Sequence, residues 1–106
     1  DNRMPWTIPE TFRRRVDALN LSAPVNFVTT NDIPGGNSGS PIIDRNARVV
    51  GLAFDSNIEG LPNEFLFRTE TGGRTVAVHS AGILEALRSV YQTEALVNEL
   101  LGRGNR

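Results

Sequence analysis

Cysteine and lysine are both absent from the 106 residues, and each absence removes a chemistry. Without cysteine there is no thiol nucleophile, no thiolate metal site and no disulfide, although the compartment stays open because many secreted bacterial proteins also lack it. Without lysine, neither a serine–lysine dyad nor a Schiff base can form within the chain. An excess of charge of one sign is missing too: eleven arginines face twelve acidic residues, for a formal net charge of −1. Such a balance offers no basic field to a nucleic-acid backbone, so nucleic acid is not an expected partner. No apolar run approaches the roughly 20 residues that span a bilayer, and Asp1-Asn2-Arg3 carries neither an initiator methionine nor a signal-peptide pattern. The expectation is an excised or processed piece with no membrane span. With 39% hydrophobic residues, there is material for one small core.

Residues 1–24 read as a lead-in with a short helix, started by Pro9 and Glu10, with Phe12, Val16 and Leu19 at helical spacing. Arg13-Arg14-Arg15 reads as a solvated helix face before it reads as an anion site. Trp6, between two prolines, is expected to pack as an anchor. Residues 25–79 read as antiparallel strands: Val25 to Thr30, then Pro41 to Asp44 and Arg48 to Phe54 as a hairpin about Arg45-Asn46-Ala47, then Arg74 to His79. Between the last two, Asp55 to Gly73 is loop-rich, with Phe65-Leu66-Phe67 as its one apolar patch. Residues 80–101 read as helices. Ser80 is expected to cap the first, Gln92-Thr93 to interrupt it, Thr93 to cap the second and Gly102 to stop it, leaving 102–106 as a frayed tail. The fold class is mostly β with C-terminal helices, α+β by content.

Gly35-Gly36-Asn37-Ser38-Gly39-Ser40-Pro41 joins the first two strands. Three glycines around one serine demand a tight turn that leaves amide N–H groups facing outward. A serine hydroxyl needs a base to take its proton and fixed donors where an oxyanion develops. Ser38 is therefore the candidate nucleophile, with the backbone N–H groups of Gly36 and Ser38 as candidate oxyanion donors. The competing reading is a polar turn or a non-catalytic module whose amides bind an anion or a peptide. A nucleotide P-loop is excluded, since its Gly-Lys-Ser/Thr ending cannot be written without lysine.

Gly-Asn-Ser-Gly-Ser-Pro between strands resembles the nucleophile loop of chymotrypsin-like serine peptidases. The longer run from Thr29 to Pro41, with Asp44-Arg45-Asn46, Val50 to Asp55, the Arg-Thr-Val-Ala-Val strand and the helices through Tyr91 and Leu100, resembles the C-terminal end of the bacterial dipeptidyl-peptidase 7 and 11 family. That resemblance implies the second half of a chymotrypsin-like double β-barrel, with 25–79 as part of the barrel. It implies a periplasmic or secreted enzyme that releases dipeptides from peptide N-termini, and no cofactor or metal. Its partners would be peptide substrates and the remainder of the same polypeptide, where the triad histidine and aspartate would lie. The isolated piece is accordingly expected to be inactive and to expose apolar surface, which a homodimer is one way to cover. A trypsin-like endopeptidase is the neighbouring alternative.

Four further residues carry expectations. Asp55 and Ser56 are assigned to substrate binding. Asp55 is suited to a substrate ammonium group, with loop stabilisation as an equal alternative. Ser56 matches the family position where arginine goes with acidic substrates and glycine with apolar ones; a small uncharged side chain implies an apolar or broad preference and not an acidic one. Asp32, six residues before Ser38, stands where trypsin-like enzymes bind basic side chains, but is expected to brace the loop. His79, the one histidine, could complete a Ser-Asp-His order with Asp55, yet the strand-like Pro41-Ile42-Ile43 is wrong for that fold. A capping or packing role is expected instead.

Overall fold

The computed structural model describes residues 6–66 and 72–104. Phe67 of the apolar patch and the last two tail residues lie outside them. Two compact units divide the chain: residues 24–83, and residues 1–23 together with 84–106.

The first is a four-stranded antiparallel sheet in the order β1-β4-β3-β2, made of β1 (Asn26–Thr29), β2 (Pro41–Ile43), β3 (Val49–Ser56) and β4 (Thr75–His79). The β2–β3 hairpin forms at the expected turn, and Asp44 organises it. Its Oδ1 accepts the amides of Asn46 (2.8 Å) and Arg48 (3.0 Å), and its Oδ2 takes the Arg48 guanidinium at 2.8–2.9 Å. With that much local bonding, Ala47 is held at φ 60°, a conformation a residue with a Cβ otherwise avoids. The Arg48 amide, ahead of the other donors, holds the Asp44 carboxyl below its ordinary value.

The buried layer of this sheet is thin and built from small side chains: Ala53, Ala77 and Thr75 are 1–3% exposed. Small residues are required because the Phe27 ring lies across the strands. A Cβ added at Gly51 would fall 2.5 Å from Phe27 Cε1 and 2.4 Å from the Val78 carbonyl oxygen. His79 meets the same ring edge to face at 5.4 Å. Elsewhere Val28, Ile43, Val49, Ile58 and Phe65 are exposed, the uncovered apolar surface expected of a piece that folds against more protein.

In the other unit, α1 (Glu10–Arg15) continues into a 3₁₀ turn at Val16–Ala18, shorter than the helical spacing through Leu19 implied. Arg13 and Arg14 reach back to Glu10, and all three are largely solvated, in line with the solvated-face reading. Arg15 Nε donates to the Ser89 carbonyl at 3.0 Å, and Phe12 packs edge to face on Tyr91. Trp6 is not the expected anchor among the described residues: it is 72% exposed. α2 (Ser80–Glu85) begins in the sheet unit, which ends at residue 83, and runs on into a π-helical turn, Ala86–Val90; α3 spans Glu94–Leu100. Glu85 Oε1 accepts both the Asn20 amide (2.8 Å) and the Ser89 hydroxyl (2.6 Å), and the Asn20 bond leads in lowering its pKa.

Two capping expectations are corrected. The amide of Ala81 is met by His79 Nδ1 at 3.0 Å, so the cap of α2 is the histidine ring and not Ser80. Thr93 precedes α3 but turns its hydroxyl back to the Leu87 carbonyl, closing the π turn. Gly102 does stop α3, at φ 67°: its amide bonds Glu99 O while the Arg103 amide bonds Asn98 O, a Schellman closure. No helix among the described residues is long and apolar enough to cross a membrane.

Candidate active site

β1 delivers the chain into the serine loop through a small polar network. Thr75, 1% exposed on β4, donates its hydroxyl to the Asn31 carbonyl at 2.6 Å and accepts Asn31 Nδ2 at 3.3 Å. Thr29 Oγ1 donates to Asn31 Oδ1. Asn31 thus braces the loop, the part expected of Asp32, whose carboxylate is exposed and makes no hydrogen bond or ion pair among the described residues.

Past Pro34 the turn closes on itself. Asn37 directs both its amide and Nδ2 to the Pro34 carbonyl, and the Ser40 amide returns to Asn37 O at 2.9 Å. The backbone passes through φ 95° at Gly36 and 87° at Gly39, which is why glycine flanks the Asn37-Ser38 pair. Gly39 N then donates to Ala53 O at 2.6 Å and Ala53 N to Ser40 O at 2.9 Å, so the β2–β3 pairing extends back to the turn. Ser38 is left exposed at the end of that ladder, its hydroxyl donating to the Phe54 carbonyl at 3.3 Å. Among the described residues, the amides of Gly36 and Ser38 have no acceptor.

Phe54 is a β-bulge. Ala53 opposes Ala77 and Asp55 opposes Val76, so Phe54 is an extra residue in β3. The bulge moves Asp55 to the face of Val76 and puts Ser56, opposite Thr75, on the face of Ala53. Register therefore brings Asp55 and Ser56 to the end of the sheet where Ser38 sits. Asp55 is exposed; Oδ1 accepts the Ser56 amide at 2.8 Å, and Oδ2 has no partner among the described residues. Ser56 is half-buried, near Gly60.

His79 is not brought to this group. It lies at the far end of β4 from Thr75, committed to capping α2 and packing on Phe27, as expected. No group of three or more His, Asp or Glu side chains able to hold a metal occurs among the described residues. Sequence reasoning missed the bulge, the bracing role of Asn31 and the bonding of Asn57 described below. The two asparagines were visible only as polar residues beside turns.

Fold and loop together define an α+β chain that presents a serine on a glycine turn beside an exposed carboxylate. The chain belongs to the peptidase S46 family, whose profile matches residues 1–102. It is similar to dipeptidyl-peptidase 7 of Porphyromonas gingivalis, with 40% identity over 76 residues that make up 72% of this chain and 10% of that protein. It is also similar to the Asp/Glu-specific dipeptidyl-peptidase of Shewanella putrefaciens, with 39% identity over 79 residues, 74% of this chain and 11% of that protein. The match thus spans about a tenth of the length of these curated relatives.

Proposed function

We propose that this chain is the nucleophile-bearing portion of a larger serine dipeptidyl aminopeptidase, built as the second half of a chymotrypsin-like double barrel. The observation that carries the reading is the exposed Ser38 on its glycine turn, with the Gly36 and Ser38 amides unengaged among the described residues and Asp55 at the same end of the sheet. Ser38 Oγ attacks the scissile carbonyl carbon while its proton passes to a histidine supplied by the rest of the polypeptide. The two amides hold the oxyanion, the leaving amine departs with the proton, and water releases the dipeptide from the acyl-enzyme. Before attack the hydroxyl must give up the Phe54 carbonyl. Asp55 Oδ2 accepts the substrate's ammonium group and so counts two residues from the N-terminus. Ser56 offers no countercharge, which favours apolar or varied side chains over acidic ones.

In the full polypeptide, Ser38→Ala abolishes dipeptide release from a free N-terminal peptide, while the wild type leaves an N-acetylated peptide uncut. Retained turnover in the variant removes Ser38 from the reaction. Cleavage of the blocked peptide converts the reading to an endopeptidase.

A further inference from the structure

Directly after Asp55 and Ser56, Asn57 is bonded through both ends of its side-chain amide. Its Oδ1 accepts the Arg74 amide at 2.7 Å and its Nδ2 donates to the Gly72 carbonyl at 2.9 Å. Its own amide donates to Arg74 O at 3.0 Å, and its carbonyl accepts the Gly60 amide at 3.0 Å. One residue therefore ties three pieces of backbone: the end of β3, the 3₁₀ segment Ile58–Glu64 and the approach to β4. These pieces are close enough that a Cβ on Gly73 would lie 3.2 Å from Gly60 Cα, and one on Gly60 would lie 3.4 Å from Ser56 Cβ. The corner formed by Asp55 and Ser56 is held on its far side by this clamp and on its near side by the Phe54 bulge. The β3–β4 ladder holds the backbone of both residues, but among the described residues the Asp55 carboxylate itself bonds only to the amide of its own neighbour.

We propose that Asn57 is a positioning residue for substrate: it sets where the Asp55 carboxylate and the Ser56 side chain stand, and so governs binding without touching the reacting atoms. The inference rests on the assignment of Asp55 and Ser56 to substrate. Uniform weakening of ground and transition states raises KM and leaves kcat in place. Loss of folded enzyme does the reverse, lowering apparent kcat at constant KM.

The test uses the full polypeptide and a dipeptidyl aminomethylcoumarin with a free N-terminus and an apolar second residue, titrated for active sites with a fluorophosphonate. Asn57→Ala is expected to raise KM roughly tenfold, about the worth of one lost hydrogen bond, with kcat per active site within about twofold. Asn57→Asp keeps the acceptor for the Arg74 amide and is expected to recover part of that loss. In an Asp55→Asn background the further effect of Asn57→Ala is expected to shrink by at least half, because both changes act through one carboxylate. An unchanged KM for Asn57→Ala, with Asp55→Asn impaired, overturns the positioning role and leaves the substrate assignment standing. An unchanged KM for Asp55→Asn overturns the assignment itself. Full additivity of the two changes shows that Asn57 does not act through Asp55 and also overturns the proposal.

Discussion

Replacing Gly51 by alanine tests the packing that holds the whole sheet together. The added Cβ would stand 2.4 Å from the Val78 carbonyl oxygen and 2.5 and 2.9 Å from Cε1 and Cζ of Phe27, where ordinary contact needs about 3.4 Å or more. The ring can swing away at the cost of its packing on His79. The carbonyl cannot, because β4 is paired on both sides, to β1 and to β3. Overpacking of this kind costs about 1–3 kcal/mol, and a backbone obstacle places Gly51→Ala near the upper figure. Pulse proteolysis in urea on the full polypeptide reads the effect: with m on the order of 2 kcal/mol/M, a loss of about 3 kcal/mol lowers the midpoint by roughly 1.5 M. Adding Phe27→Leu removes the ring and leaves the carbonyl, so only partial recovery is expected. A midpoint within about 0.5 kcal/mol of wild type, or full recovery in the double variant, refutes the reasoning.

Two more outcomes follow from particular groups. The Asp44 carboxyl is held below its ordinary 3.8 by the amides of Arg48 and Asn46 and by the Arg48 guanidinium. A depressed folded pKa gives stability that is present above the unfolded value and lost as pH falls through the folded one. Acid unfolding followed by hydrogen exchange in the β2–β3 hairpin should therefore lose protection below about pH 4, and Asp44→Asn should flatten that part of the profile; an identical slope in the variant contradicts it. Thr75→Val keeps the shape of a buried side chain but leaves the Asn31 carbonyl without its donor, a cost of about 1–3 kcal/mol. Because Asn31 braces the serine loop, faster proteolytic nicking at 30–40 should accompany the lost stability, and an unaltered nicking rate argues against that coupling.

What was legible in the sequence was local. Asp44 and the residues after it determine their turn within five positions, Gly102 ends its helix through its own φ, and Gly36 and Gly39 allow the serine turn that their spacing implied. The unread features depend on partners far along the chain. Phe54 becomes a bulge only against β4, 22 residues on at Val76. Asn57 and Asn31 become structural only when Gly72, Arg74 and Thr75 are folded against them. Ser80 looked like a cap by residue type, yet His79 won because its ring, held against Phe27, already points at the Ala81 amide.

By itself, then, the sequence determined the strands, the hairpin and the exposed serine turn, because each is set by torsional preferences and bonds within a few residues. Only the tertiary structure decided that Ser38, Asp55 and Ser56 share one end of the sheet and that His79 does not. That outcome is a matter of strand order and register, and one bulged residue is enough to send a carboxylate to the other face.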